Sequence, residues 1–240
     1  MISATFNTLV YEPLYNGLVF LVGVIPTHDV GVAVILLTVV VRIILFPLSR
    51  RAIATQIQMK KIAPEVEALK EKYKDRREEQ GRAILALYRE HGVRPFASFA
   101  LLLVQLPILI GLYWVFSHGG LPQVDASLLY SFVTIPQAVD MMFLGSIAMD
   151  GHNILLAFLA GVTQFVYTRL STGKRLAPSE KPAGASFSTD MARSFDLQVR
   201  YILPIMVGVI SYYVVAAAPL YWATSNLFMI GQEYLGGRRF

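Results

Sequence analysis

Five long apolar stretches divide the chain, and each approaches the roughly 20 residues that an α-helix needs to cross a bilayer core of about 30 Å. They lie at Val30–Leu48, Phe96–Phe116, Asn153–Leu170, Val199–Ala218 and Leu220–Leu235. The pattern predicts an all-α polytopic membrane protein whose five transmembrane helices occupy residues 29–49, 95–117, 153–170, 199–218 and 219–236. Between the last two stretches, Ala216–Pro219 is predicted to form a direct helical turn.

The segments outside these stretches are shorter or less apolar. The run Leu18–Ile25 ends at Pro26 and is too short to span, so residues 1–28 are predicted to be an external N-terminus that carries an interfacial helix. The alternative is that this run extends the first span. Residues 118–152 mix apolar patches with proline and aspartate, and they are predicted to form an external loop that rests on the membrane surface.

Residues 50–94 carry apolar positions at helical spacing from Ile53 to Tyr73, among many charges. Pro64 should begin a new helical segment or kink the first helix, and Asp75 is predicted to cap a second helix that runs to Tyr88. The pattern therefore predicts a cytoplasmic helical hairpin, with a solvated connector as the alternative. Residues 171–198 are predicted to be a second cytoplasmic loop, and residues 237–240 a short cytoplasmic tail.

The placement of the basic residues predicts the orientation. Twelve of the 21 Lys and Arg residues lie between Arg50 and Arg94 and six between Arg169 and Arg200, whereas none lies between Pro95 and Thr168. Loops rich in Lys and Arg stay in the cytoplasm. The N-terminus and the loop at 118–152 are therefore predicted to lie outside, and the C-terminus inside.

Composition narrows the function classes. Hydrophobic residues make up 55% of the chain and charged residues 15%, which is too apolar for a soluble domain of this length. The absence of cysteine excludes disulfides, thiolate metal sites and a cysteine nucleophile. The four histidines lie near predicted span ends without an HExxH motif or paired carboxylates at membrane depth, so we expect neither an enzyme nor a cofactor or metal site.

Arg42 is the polar residue that most changes this picture, because apolar residues flank it on both sides within the first span. An arginine at a helix centre costs roughly 2.5 to 3.5 kcal/mol on insertion scales, which requires water or polar partners nearby. One interpretation is a side chain that snorkels to the cytoplasmic interface. The other, which we favour, is a positive charge that lines a hydrated groove.

Further polar residues fall at similar depth in the predicted spans. Taken singly, each is accounted for by an ordinary interhelical hydrogen bond or an interfacial aromatic position. Taken with Arg42, they predict a hydrophilic groove that faces the cytoplasm. The candidate groove residues are Arg42, Thr38, Gln105, Gln164, Trp222, Tyr221, Ser225 and Asn226.

Three motifs, in order, resemble those of the Oxa1/Alb3/YidC membrane protein insertases. The first core span of that family is similar to DVGVAVILLTVVVRIILFPLS, the second to LYREHGVRPFASFALLLVQLPILIGLYWVF, and the last to AAPLYWATSNLFMIGQEYL. The motifs are separated by the charged hairpin and the second basic loop, so the resemblance covers nearly the whole chain.

The resemblance implies an insertase and chaperone of the bacterial inner membrane, with a five-helix groove open to the cytoplasm and to lipid. Arg42 would receive polar or acidic parts of a substrate, and Trp222 would line the groove. Gln164 is assigned to the groove from its depth in the third span. The implied partners are nascent membrane proteins with short external tails and the bilayer, together with a ribosome and a Sec translocon. We expect a functional monomer without recognition of nucleic-acid sequence. The alternative function is a small channel or transporter with an arginine-lined anion pathway.

Overall fold

The computed structural model describes residues 4–93, 97–117, 120–172 and 197–236. Within these ranges the chain is mostly helical, as predicted. It divides into two compact units, residues 1–43 with 107–240, and residues 44–106. The predicted tail at 237–240 and most of the loop at 171–198 lie outside the described residues.

The first unit contains most of the helices. The N-terminal region comprises α1 (Ala4–Phe6), a π-helical segment (Asn7–Tyr11) and α2 (Glu12–Val24), and α3 (Val30–Ile44) follows. Beyond the second unit come α8 (Ile154–Thr172), a π-helical segment (Gln198–Ile202), α9 (Leu203–Tyr213) and α10 (Ala217–Leu235). The loop before α8 holds a 3₁₀ turn (Ala126–Leu128) and the antiparallel strands β1 (Met142–Phe143) and β2 (Ile147–Ala148).

The second unit contains α4 (Phe46–Lys61), α5 (Ala63–Lys72) and α6 (Arg77–Glu90), and α7 (Ala97–Ser117) continues from it into the first unit. Pro64 stands in the first turn of α5, so a new helix begins there as predicted, where proline's missing N–H costs nothing. The predicted cap at Asp75 is wrong: Arg76 occupies the N-cap without a side-chain cap bond and pairs instead with Glu79. Gln80 donates to the Lys70 carbonyl and holds α6 against α5.

Prolines and short turns determine where α2 ends and where α3 and α10 begin. The chain leaves α2 at Val24 because Pro26 restricts Ile25 to an extended conformation, and it turns before α3 begins. The N-terminal apolar run therefore does not extend α3 as one helix, and its interfacial placement stays a prediction. The predicted turn at Ala216–Pro219 lies earlier, between Tyr213 and Ala217, so Pro219 falls in the first turn of α10.

Length and hydropathy show which helices could cross a membrane. Among the described residues, α8 is long and apolar enough to cross a membrane, and α3 with α4 would count as a second if the two formed one broken span. The break falls at Leu45, one residue before α4, so the apolar run that was predicted as one span is split. Five spans therefore stay a prediction.

Within the first unit, the loop at 120–153 packs against α2, α3 and α7, and we call this segment the strap. Asn16 of α2 donates to the Leu128 carbonyl and accepts from the Tyr130 N–H, and the Tyr15 hydroxyl accepts from the Asp125 N–H. Strap residues such as Val133 are buried in the same core as α2, α3 and α7. The strap is therefore part of the folded core, and its contact with a membrane surface stays a prediction.

The far end of the strap joins two further helices. The Asp29 carboxylate accepts from the Val32 N–H as a cap of α3, and its other oxygen accepts from the Leu144 N–H. The carbonyl of Gly151 accepts from the Ala216 N–H at 2.7 Å, just before α10. These contacts bring the N-terminal ends of α3 and α10 to the same strap.

Candidate functional site

Arg42 lies buried between α3 and α10, with 8% of its surface exposed. Its Nε donates to the Ser225 Oγ at 2.7 Å, and its Nη2 donates to the same oxygen. Ser225 is fully buried. The arginine side chain is positively charged and carries five N–H donors in a fixed fork, whereas the serine hydroxyl is neutral. The pair therefore places a cation against a neutral hydroxyl inside the helical core.

Thr38 and Tyr221 lie one helical turn from this pair. Thr38 precedes Arg42 by four residues, and its hydroxyl donates to the Val34 carbonyl of its own helix at 2.6 Å. Tyr221 precedes Ser225 by four residues and is buried, and it lines the same small cavity as Thr38. The structure therefore brings Arg42, Thr38, Tyr221 and Ser225 together.

A second group of candidate residues lies between α8 and α10. The Trp222 indole N–H donates to the Gln164 carbonyl oxygen at 3.1 Å, and the Gln164 amide donates to the Thr168 hydroxyl at 3.1 Å. Asn226 donates to the Thr163 hydroxyl at 3.4 Å. Gln164, Trp222 and Asn226 thus form a polar layer with two threonines of α8, made of two separate sets of hydrogen bonds.

Helix α10 connects the two groups through neighbouring residues. Tyr221 and Ser225 face α3, whereas the residues that follow each of them, Trp222 and Asn226, bond to α8. Adjacent positions on a helix point about 100° apart, so one helix can supply both faces. We call the two groups together the polar cluster.

Gln105 is the predicted groove residue that the structure does not place in the polar cluster. It lies half-buried on α7, in the part of that helix that belongs to the second unit. Its membership of a groove stays a prediction.

Sequence reasoning passed over some buried polar groups in the same helices. Glu233 is fully buried in the last turn of α10, and Ser211 is fully buried in α9. The signal for Glu233 was a carboxylate within an apolar span, which is costly to bury without partners. Among the described residues no group of three His, Cys, Asp or Glu side chains is placed to hold a metal ion.

A cavity of about 10 Å³ adjoins the polar cluster, which is room for about one water molecule. It is lined by Leu14, Val34, Leu37, Thr38, Val41, Ile108, Leu112 and Tyr221. The cavity alone is far too small for a polypeptide segment.

The chain is similar to known proteins over almost its whole length. Residues 21–240 match the profile of the family described as 60Kd inner membrane protein. A protein of Fusobacterium nucleatum is 30% identical over 94% of this chain and 95% of its own length. A protein of Clostridium tetani is 31% identical over 88% of this chain and 82% of its own.

Longer proteins are also similar. One from Methylobacillus flagellatus is 27% identical over 95% of this chain, which spans only 35% of that protein. All three relatives carry the name "Membrane protein insertase YidC".

Proposed function

The chain belongs to the 60Kd inner membrane protein family, and we propose that it is a membrane protein insertase that uses the polar cluster to receive its substrates. Membership places it in the bacterial inner membrane and confirms the prediction that it is not an enzyme. Nascent membrane proteins and the lipid bilayer are its partners in this proposal. Contacts with a ribosome or a Sec translocon, and function as a monomer, remain part of the proposal.

The observation that carries the proposal is the buried Arg42 beside Ser225. Burying a charge within an apolar helix is costly, so a protein that only needed a stable core would do better with an apolar residue there. Ser225 offers a neutral hydroxyl to the guanidinium, and this contact does not cancel the charge. An acidic group that enters from the cytoplasm would meet a cation that it can bind.

The energetic problem of insertion explains why such a cation is useful. A substrate's short external tail must leave water before its apolar segment can reach lipid, and each carboxylate faces a steep desolvation cost. At the intermediate dielectric of a hydrated groove, a guanidinium a few ångströms away supplies on the order of 1 to 4 kcal/mol of attraction. That lowers the cost of transfer without trapping the tail.

The polar layer between α8 and α10 supports the same proposal. Trp222 bonds to Gln164 and Asn226 bonds to Thr163, so two side-chain hydrogen bonds join α8 and α10, and water can replace them one at a time. We propose that substrate entry separates the helices around Arg42, with the groove open to the cytoplasm and to lipid. Gln105 would join the groove in that open state.

The proposed arrangement in the membrane follows the charge pattern. Five spans at 29–49, 95–117, 153–170, 199–218 and 219–236 would place the N-terminus and the strap outside, and the residues at 50–94 and 171–198 in the cytoplasm. The hairpin of α5 and α6 would then capture substrates before they reach the groove.

The test is insertion of a short single-span protein into liposomes that hold the purified chain. Arg42→Lys keeps the charge and should retain much of the activity, whereas Arg42→Ala and especially Arg42→Glu should impair substrates with acidic tails most. Substrates with neutral tails should suffer less. Arg51→Ala is the matched control, because it removes the same charge from an exposed position on α4.

Two results would contradict the proposal. If all three Arg42 variants fold normally and insert acidic-tailed substrates as well as the wild type does, Arg42 only snorkels. If the liposomes instead show anion flux that Arg42→Ala abolishes, while insertion is absent in every sample, the channel alternative is correct.

A further inference from the structure

The apolar core that α3 and α10 share lies at the end of both helices where the strap packs. Among the described residues, Leu37 of α3 and Tyr221 of α10 are the last buried apolar members of this core along each helix. The strap fixes the same end through backbone hydrogen bonds from the Val30 and Ala217 N–H groups, at 2.9 and 3.1 Å. The two helices are therefore held firmly together at the strap.

Arg42 and Ser225 bridge α3 and α10 about one helical turn beyond this core. The Nε and Nη2 groups of Arg42 both donate to the Ser225 Oγ. These two donors form an edge of the guanidinium that can bind a carboxylate through two parallel hydrogen bonds. A single neutral oxygen thus occupies the place of two charged ones, and a carboxylate is a ligand that can replace it.

Close approaches and polar contacts divide the helices of the first unit into two groups. A Cβ atom built on Gly161 of α8 would stand 3.3 Å from the Gly208 Cα of α9, and the polar layer joins α8 to α10. Equivalent atoms on Gly17 of α2 and Gly111 of α7 would stand 3.0 Å from side chains of α3 and α2 respectively. The boundary between α3 and α10, which we call the seam, therefore separates α2, α3 and α7 from α8, α9 and α10.

We propose that the Arg42–Ser225 pair is a clasp, which a carboxylate of the incoming substrate opens by replacing the Ser225 hydroxyl at the guanidinium. The inference rests on the proposed function, because it names the event with which an acidic tail begins its entry. The exchange keeps Arg42 paired while it releases α10, so the seam opens at the clasp and hinges at the strap. Ser225 is then a positioning residue, which holds the seam closed until an acidic group arrives.

The experiment measures the width of the seam with pairs of nitroxide labels on cysteines, which the chain permits because it has none of its own. Val40→Cys with Leu227→Cys places exposed labels on α3 and α10, and Phe158→Cys with Leu227→Cys is the control pair within one group. Distances are measured by double electron–electron resonance in lipid bilayer discs. The probes are a synthetic single-span peptide with an acidic tail and the same peptide with glutamine at the acidic positions.

We expect the acidic peptide to lengthen the distance between labels at 40 and 227 and to leave the control pair unchanged. The glutamine peptide should change neither pair, because it offers the guanidinium no charged partner. An equal response to both peptides would overturn the clasp. Lengthening of the control pair together with the seam pair would overturn it as well, because α8 and α10 would then not move as one group.

Variants at Ser225 test the clasp without any substrate. Ser225→Ala should raise the open population roughly tenfold or more, the change that loss of a hydrogen bond to a charged group produces in an equilibrium. Ser225→Thr keeps the hydroxyl and should restore the closed distance. Ser225→Asp supplies a permanent carboxylate and should keep the seam closed even when the acidic peptide is present.

A wild-type distance in Ser225→Ala, or an aspartate variant that opens with the acidic peptide as readily as the wild type does, would overturn the clasp. If the alanine variant does not fold, the aspartate variant decides the question. The labels report on the seam whether or not insertion occurs. A wild-type chain that opens with the acidic peptide but inserts no substrate would therefore contradict the proposed function and leave the clasp standing.

Discussion

Replacing Asn16 with alanine should release the middle of the strap from α2. The Asn16 side chain is 2% exposed, donates to the Leu128 carbonyl at 2.8 Å and accepts from the Tyr130 N–H at 2.6 Å. Alanine supplies neither partner, and it also loses the bond to the Glu12 carbonyl within the helix. The strap then keeps its attachments at Tyr15 and Asp29.

The cost follows from the groups that are left without partners. A buried donor or acceptor that loses its hydrogen bond costs about 1 to 3 kcal/mol, and two strap groups are affected. Because both bonds are only partly buried, water recovers some of the loss, which leaves roughly 2 to 3 kcal/mol for local opening. At 1.4 kcal/mol for each factor of ten, amide exchange at Tyr130 should accelerate roughly 30- to 150-fold.

The assay is amide hydrogen exchange of the strap in bilayer discs, with the Tyr130 amide as the readout. Asn7→Ala is the matched control, because Asn7 lies earlier in the same N-terminal region and takes no part in this strap contact. Asn16→Asp keeps an acceptor for the Tyr130 N–H and should accelerate exchange much less than alanine does. If Asn16→Ala left Tyr130 as slow to exchange as in the wild type, the strap would not depend on this residue.

The remaining predictions concern topology, packing and the hairpin. A membrane-impermeant thiol reagent added outside whole cells should label Ser127→Cys and not Lys74→Cys, and the reverse result would invert the proposed orientation. Gly161→Ala should destabilise the protein by about 1 to 3 kcal/mol, because its Cβ would stand 3.3 Å from the backbone of α9. Gly231→Ala, with open space around it, should stabilise α10 by about 0.5 to 1 kcal/mol, and thermal unfolding in one detergent compares the two. Deletion of Ile53–Tyr88 should slow insertion in liposomes, and a stably folded deletion with full activity would return this hairpin to the role of a connector.

The sequence by itself determined the class of the protein and most of its helices. Apolar runs and the breaks at Pro26 and Pro64 act over a few residues, so their effect on local conformation can be predicted without knowing what lies across the fold. Arg42 was identified as a candidate groove residue for a similar reason, because a charged residue within an apolar stretch can be recognised from the local sequence alone. Family membership confirmed the resemblance on which the functional expectation rested.

The tertiary structure decided which residues meet. Ser225 bonds to a residue 183 positions away, and Asn16 to one 112 positions away, and nothing in the local pattern distinguishes either from its polar neighbours. The same holds for Leu144, whose N–H bonds to Asp29, 115 positions away. Periodicity shows which face of a helix is apolar, but the partner of a buried polar group is chosen by how helices pack, and that depends on the whole chain at once.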